Sequence, residues 1–333
     1  MNNFEPGLTK YNTAPPPNDF KRKNSWEIKE RALIKSEDFT PFKLPTHDDT
    51  TEFKEVSGKA RYLVEEKPNV GTGGMSNVFR GWDSRLERYV AVKELLPDWL
   101  DSGESYRNII ELEAKTIEKL KKNFHPGIPN IYDYIETRSL DGRIRPLLIM
   151  ELIEGESLFL RLSDDVKQPL AISEISNIIT QTADTVDFMN ENDLIHKDIK
   201  PKNIILSQPH IKIIDYGSSS WIPDVDAVTA SYTSPETYIN NTKDARSDEY
   251  SLAATAYSIF FGNPPDIIEN PEIITEAQFY SKSFKYKVKD LDIKKLINIF
   301  RKSLSKNPDD RYQTSTEFAQ AFCKIIKNVG LKD

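Results

Sequence analysis

Asp198, Asn203 and Asp215 have the types and spacing to do chemistry. They stand in His196-Lys197-Asp198-Ile199-Lys200-Pro201-Lys202-Asn203, followed twelve residues after the asparagine by Asp215-Tyr216-Gly217. A carboxylate at Asp198 can orient a hydroxyl nucleophile and accept its proton, while Lys200 can face developing negative charge. Asn203 and Asp215 are hard oxygen ligands of the kind Mg²⁺ takes alongside a nucleotide triphosphate. The set describes phosphoryl transfer. Such a run also arises in polar turns, so its weight depends on what surrounds it.

Upstream lies Val70-Gly71-Thr72-Gly73-Gly74-Met75-Ser76-Asn77-Val78, a glycine cluster between short apolar runs, as where a turn joins two strands. Without side chains there, backbone N–H groups can approach phosphate oxygens; a plain hairpin has the same pattern. Val90-Ala91-Val92-Lys93-Glu94-Leu95 alternates as a strand and lies one hairpin beyond the glycines, which aims Lys93 toward the loop. A helix is expected from about Tyr106 to Lys122, with Ile109, Leu112, Ile117 and Leu120 as its apolar positions. Glu113 on that helix is the candidate partner for Lys93, an ion pair that holds the lysine against the α- and β-phosphates. The helix is charged all over, so a solvated Glu113 is the alternative.

In order and spacing these segments resemble a protein kinase of the bacterial, eukaryotic-like Ser/Thr type, over about Arg61 to Val329. The resemblance implies an α+β, two-lobed fold with a small β-rich N-lobe and a larger helical C-lobe. It places Gly71, Gly73 and Ser76 at the three glycine-loop positions, with Thr72, Gly74 and Met75 between them, Ser76 standing for the third glycine. Val70, Val78 and Ala91 become the roof of an adenine pocket, and Ile205 and Ile214 its floor. Leu148 to Gly155 resembles the strand and hinge between lobes, with Met150 as gatekeeper and adenine contacts at the Glu151 carbonyl and the Ile153 N–H. Asp198 becomes the catalytic carboxylate, Lys200 a γ-phosphate contact, and Asn203 and Asp215 the metal ligands. The implied cofactors are ATP and Mg²⁺, with Mn²⁺ as a substitute.

Farther on, Thr229 to Glu236 resembles the end of an activation segment, with Ser234-Pro235-Glu236 for the more usual Ala-Pro-Glu. Glu236 is expected to pair with Arg311, and Asp248, opening an apolar helix from Glu249 to Phe261, to brace the catalytic-loop backbone. His196 is expected to steady the same loop. Lys200 and Thr229 follow the Ser/Thr-specific pattern rather than the tyrosine-specific one, with dual specificity left open. Lys197 replaces the arginine that clamps a phosphorylated activation loop in many relatives; it keeps the charge but loses the planar fork. Weaker dependence on activation-loop phosphorylation follows, although Ser218, Ser219, Ser220, Thr229, Ser231 and Thr233 are acceptors. Tyr216 in place of phenylalanine adds a hydroxyl that needs a partner if buried.

The elements that must position these residues divide the chain into a polar extension, residues 1–60, and a kinase-like domain, 61–329, with lobes at about 61–150 and 154–329. The extension carries Pro15-Pro16-Pro17 and reads as largely disordered or loosely docked, with one amphipathic helix possible from Ser25 to Ile34. A long amphipathic helix from Ile172 to Asn190 leads into the catalytic loop. With 333 residues and 38% apolar content the chain can bury a large core, and the single cysteine, Cys323, precludes an intrachain disulfide. No apolar run approaches the ~18 residues of a membrane span, and no signal-peptide profile opens the chain, so a cytoplasmic protein is expected. A net charge of −7 argues against nucleic-acid binding. The expected partners are protein substrates and, if threonines of the extension are phosphorylated, a phosphothreonine-binding protein. Competing readings are a pseudokinase scaffold and a small-molecule phosphotransferase; the Pro235-Glu236 and Arg311 anchors speak against the latter.

Overall fold

The computed structural model describes residues 53–331 except 56–60, 66–69, 73–75, 97–103, 121–123, 139–143, 164–167, 217–230, 241–243, 266–273, 280–285 and 328. The chain divides into two units, residues 1–33 and 34–333, and everything described below belongs to the second. The helix expected from Ser25 to Ile34 lies outside the described residues.

The smaller lobe is an antiparallel sheet. Its strands are β1 (Phe53–Glu55), β2 (Tyr62–Glu65), β3 (Gly71–Thr72), β4 (Ser76–Asp83), β5 (Arg88–Leu95), β6 (Ile131–Arg138) and β7 (Ile144–Glu151). They run in the order β1-β2-β4-β5-β7-β6, with β3 paired to β4. Helix α1 (Glu104–Leu120) packs on β6 and β7 through Ile110, Ala114, Ile117 and Leu120. Those positions repeat at the three- and four-residue intervals of one helix face, and Glu113 shares it, 2% exposed. Leu112, expected on the apolar face, instead lies 40% exposed, because it falls on the opposite side of the helix. Phe53 to Glu55, within the polar extension, pairs with Glu65 to Leu63 and so forms an edge of the sheet.

The larger lobe begins beyond β7 with β8 (Glu156–Ser157), α2 (Leu158–Ser163) and α3 (Ile172–Glu191). A 3₁₀ turn at Pro201–Asn203 leads into β9 (Ile204–Leu206) and β10 (Lys212–Ile213), which with β8 form a small sheet. At the lobe junction Gly155 has φ 152°, and a Cβ there would lie 2.5 Å from the Leu206 carbonyl oxygen, so glycine is required. Then follow α4 (Pro235–Asn240), α5 (Arg246–Phe261), α6 (Glu276–Phe279), β11 (Tyr286–Lys287), α7 (Asp290–Ser303), α8 (Ser315–Ile326) and β12 (Gly330–Leu331).

Helix α5 is buried on every side from Ser247 to Phe260, as its nearly all-round apolar or small composition requires. It starts a turn earlier than expected, which puts Asp248 inside the helix rather than at its opening. Its Phe260 meets Phe322 edge-on, and Phe322 also stacks on Phe318 and packs tilted against Phe300, with ring centroids 5.6–5.7 Å apart. Asp187 of α3 caps α8 by accepting the Ser315 and Thr316 N–H groups, both at 2.8 Å. Cys323 sits buried where α8 meets α3, its Sγ 3.8 Å from the Ser176 carbonyl oxygen. The fold is thus a two-lobed α+β arrangement.

Candidate active site

Lys93 in β5 is buried, and its ammonium reaches Glu113 of α1 at 2.9 and 2.6 Å and Asp215 of the larger lobe at 3.0 Å. Burial works against the Lys93 charge, but the Asp215 and Glu113 carboxylates outweigh it and hold its pKa above the usual lysine value. The Lys93 charge in turn holds Asp215 below the ordinary carboxylate range. Asp215 adopts a left-handed φ of 72°, and its side chain is 49% exposed. The next residue ties the turn down: the Tyr216 N–H points at Glu113 Oε1 from 3.4 Å, and its hydroxyl donates to the Ile213 carbonyl at 3.1 Å. That bond supplies the partner the buried tyrosine needs.

The catalytic-loop segment hangs from α5. Asp248 accepts the backbone N–H groups of His196 at 2.8 Å and Lys197 at 2.7 Å, although burial raises its pKa to about 7. Those bonds hold Lys197 at φ 66°, a sparsely populated conformation for a side chain of this size. His196 packs against Tyr216 with ring centroids 5.0 Å apart, and its Nδ1 accepts from the Asp198 N–H at 3.3 Å. Burial lowers the His196 pKa to about 4, so the ring is neutral near pH 7.

Asp198 is gripped from two sides: Lys200 Nζ lies 2.8 Å from one carboxylate oxygen, and Asn203 Nδ2 donates to the other at 2.8 Å. Asn203 Nδ2 also donates to the Asp198 carbonyl at 2.9 Å. Burial pushes the Asp198 pKa up to about 6, against the pull of Lys200.

Because the Asn203 amide nitrogen faces Asp198, its oxygen is the end left for a ligand, and the Lys93 bond to Asp215 Oδ1 leaves Oδ2. Among the described residues no trio of His, Cys, Asp or Glu side chains forms a metal cage. An amide oxygen and a carboxylate fit Mg²⁺, which uses few protein ligands and fills its octahedron with phosphate and water oxygens.

Around this centre, Val78 pairs with Lys93, Ala91 with Met150, and Val90 with Glu151, so these positions sit on three adjacent strands. Gly71 and Thr72 pair with Val78 and Asn77, which makes the glycine segment a hairpin; Gly73, Gly74 and Met75 lie outside the described residues. Ser76 opens β4, and Val70 at its mouth is 43% exposed. In the larger lobe Ile205 lies in β9, and the Ile214 N–H donates to the Asn203 carbonyl at 2.9 Å. Ile153 is half-buried between the lobes.

Two residues that spacing did not single out join this set. Lys212 of β10 pairs with the Glu151 carboxylate at 2.8 Å, and Asn130 donates to the same group from its N–H and its amide, each at 3.0 Å. Lys212 stands three residues before Asp215, the only local signal that could have drawn attention to it. Farther away, Arg311 grips Glu236 through two bonds of 2.7 Å, and Glu236 also accepts the Ser247 hydroxyl at 2.7 Å. Ser218 to Ser220 and Thr229 lie outside the described residues.

The sequence matches the protein kinase domain family over residues 64–323. It is 32% identical over 277 residues to the serine/threonine-protein kinase PknF of Mycobacterium tuberculosis, covering 79% of this chain and 56% of the relative. It is 34% identical over 267 residues to PknB of Mycolicibacterium smegmatis, covering 77% of this chain and 42% of the relative. The chain therefore aligns with about half the length of the curated relatives it matches. Among solved structures, the Mycobacterium tuberculosis PknI kinase domain superposes with a TM-score of 0.61 at 24% identity, covering 80% of this chain and 96% of that one. At that identity the likeness speaks to the fold.

Proposed function

The chain belongs to the protein kinase family, and from that premise we propose that it transfers the γ-phosphoryl group of ATP to serine or threonine hydroxyls of proteins. The observation that carries the reading is the joining of Lys93, Glu113 and Asp215 across the cleft, beside an Asp198 held by Lys200 and Asn203. Asp215 stands 122 residues from Lys93, and a polar turn has no reason to bring them together.

In this mechanism the Asp198 carboxylate, ionised above pH about 6, orients the acceptor hydroxyl and takes its proton as the oxygen attacks the γ-phosphorus. The bond to the β-phosphate oxygen breaks in line, and ADP leaves. Lys200 faces the transferring group, while Lys93, held by Glu113, faces the α- and β-phosphates. Asn203 and Asp215 would hold the metal. Bound Mg²⁺, or Mn²⁺ in its place, supplies charge neutralisation on the phosphate oxygens. Val70, Val78 and Ala91 above and Ile205 and Ile214 below enclose adenine, with Met150 behind it and the Glu151 carbonyl and Ile153 N–H pairing with it. Gly71 to Ser76 covers the phosphates.

Residues 1–60 belong to the same proposal as a regulatory extension of a domain spanning 61–329, with a phosphothreonine-binding protein as a candidate partner. Among the described residues no helix is long and apolar enough to cross a membrane. A cytoplasmic location is proposed with the activity.

Incubation of the purified chain with labelled ATP and Mg²⁺ tests the activity. Autophosphorylation on serine or threonine, abolished by Asp198→Ala, is the expected result. Phosphotyrosine alone refutes the specificity, and no incorporation with either metal refutes the activity in favour of a scaffold.

A further inference from the structure

Glu151 ends β7 where the hinge begins, and its half-buried side chain meets three donor groups. Lys212 Nζ lies 2.8 and 3.0 Å from its two carboxylate oxygens, and the Asn130 N–H and amide each donate at 3.0 Å. The Glu151 N–H completes a ring by donating to the Asn130 carbonyl at 2.8 Å. Backbone and side chain of one hinge residue are therefore held by the same asparagine.

That asparagine follows a connection tied to the larger lobe. The Ile213 N–H donates to the Gly127 carbonyl at 2.9 Å, and Lys212 Nζ also reaches the Ile128 carbonyl at 3.4 Å. Gly127 is pressed so closely on α3 that a Cβ would fall 2.0 Å from Thr185 Oγ1. Lys212 and Asn130 thus link the hinge to β10, the strand that leads into Asp215.

We propose that Lys212 and Asn130 are positioning residues that set the affinity for ATP by fixing the Glu151 peptide, without touching the nucleotide. The assignment rests on the nucleotide-binding reading of the cleft. A half-buried ion pair contributes little net stability, because desolvation offsets its attraction. Its directional bonds do limit where the Glu151 carbonyl can point, and a hinge displaced by a fraction of an ångström weakens the hydrogen bonds made to adenine. Acceptor binding and proton transfer at Asp198 lie outside the ring and do not depend on it.

The test uses the full chain carrying Lys212→Met, Asn130→Ala or Lys212→Arg, with ATP and Mg²⁺ as the probe. Lys212→Met and Asn130→Ala should each raise KM and Kd for ATP roughly three- to tenfold, the scale of one ordinary hydrogen bond since the ring acts on the nucleotide only through the peptide, with kcat within about twofold. Lys212→Arg should restore most of the affinity. A merely structural role moves the melting temperature and the active fraction but leaves KM alone, so the split between KM and kcat separates the two. Unchanged ATP affinity in Lys212→Met, an Arg variant as weak as the Met variant, or a raised kcat at unchanged KM overturns the assignment. If the wild type binds no ATP, the reading of the cleft falls and this assignment with it.

Discussion

At Asp198, two opposing effects set the working pH. Burial raises its pKa to about 6, while the ammonium of Lys200 at 2.8 Å and the amide of Asn203 at 2.8 Å favour the ionised form. The carboxylate must be ionised to take a proton, so kcat/KM should fall as pH drops through about 6, with full activity above it. Lys200→Ala removes a compensating charge, which should move this acid limb to higher pH as well as lower kcat. A pH–rate profile on both proteins checks the sign, and a limb that moves to lower pH refutes it. The motif made the asparagine a candidate metal ligand, but its donation to Asp198 was not legible, because local spacing does not reveal which end of an amide faces which neighbour.

At the level of elements, α5 carries two acidic residues with different fates. Asp248 is used to hold the catalytic loop, whereas Glu249 is buried and neither of its carboxylate oxygens has a hydrogen-bond partner among the described residues. Burial raises the Glu249 pKa well above its ordinary value, against the pull of the nearby Ser303 hydroxyl and the Arg311 and Lys302 charges. The folded protein therefore keeps a proton that the unfolded chain releases above pH about 4.3, and stability falls as pH rises from there through the folded pKa. Glu249→Gln keeps the shape and removes this dependence. Its melting temperature should match wild type near pH 4 and exceed it increasingly toward alkaline pH; parallel curves from thermal melts would refute the buried proton. The α4–α8 region depends instead on Arg311, whose side chain is fully buried against Glu236 and also donates to the carbonyls of Ser305, Arg246 and Lys306. Arg311→Ala strands the Glu236 carboxylate and should cost about 3–5 kcal/mol, measured by denaturant unfolding. Arg311→Lys should recover only part, since one ammonium cannot reproduce the two parallel bonds.

For the whole molecule, the proposed regulatory role of residues 1–60 is tested by deletion. Phe53 to Glu55 pairs with β2 at the sheet edge, so deleting residues 1–52 keeps that pairing, while deleting 1–60 uncovers the β2 edge. The shorter deletion should leave a folded kinase with altered turnover or altered partner binding, and the longer one should also lower the melting temperature. Unchanged kinetics and unchanged partner binding in the shorter deletion refute a regulatory role. The sequence by itself supplied the candidate site residues, their order and Glu113 as the candidate partner of Lys93, and its resemblance to protein kinases supplied the expected anchor between Glu236 and Arg311 and the two-lobed fold. Residue types, short-range periods and motif spacings are read along the chain, and the resemblance rests on them. The tertiary structure alone decided that Ile110 rather than Leu112 faces the sheet, that Glu249 is buried without a hydrogen-bond partner among the described residues, and that Lys212 meets Glu151 across 61 residues. Burial and ion pairing depend on which surfaces distant segments present to each other, and no local pattern carries that information.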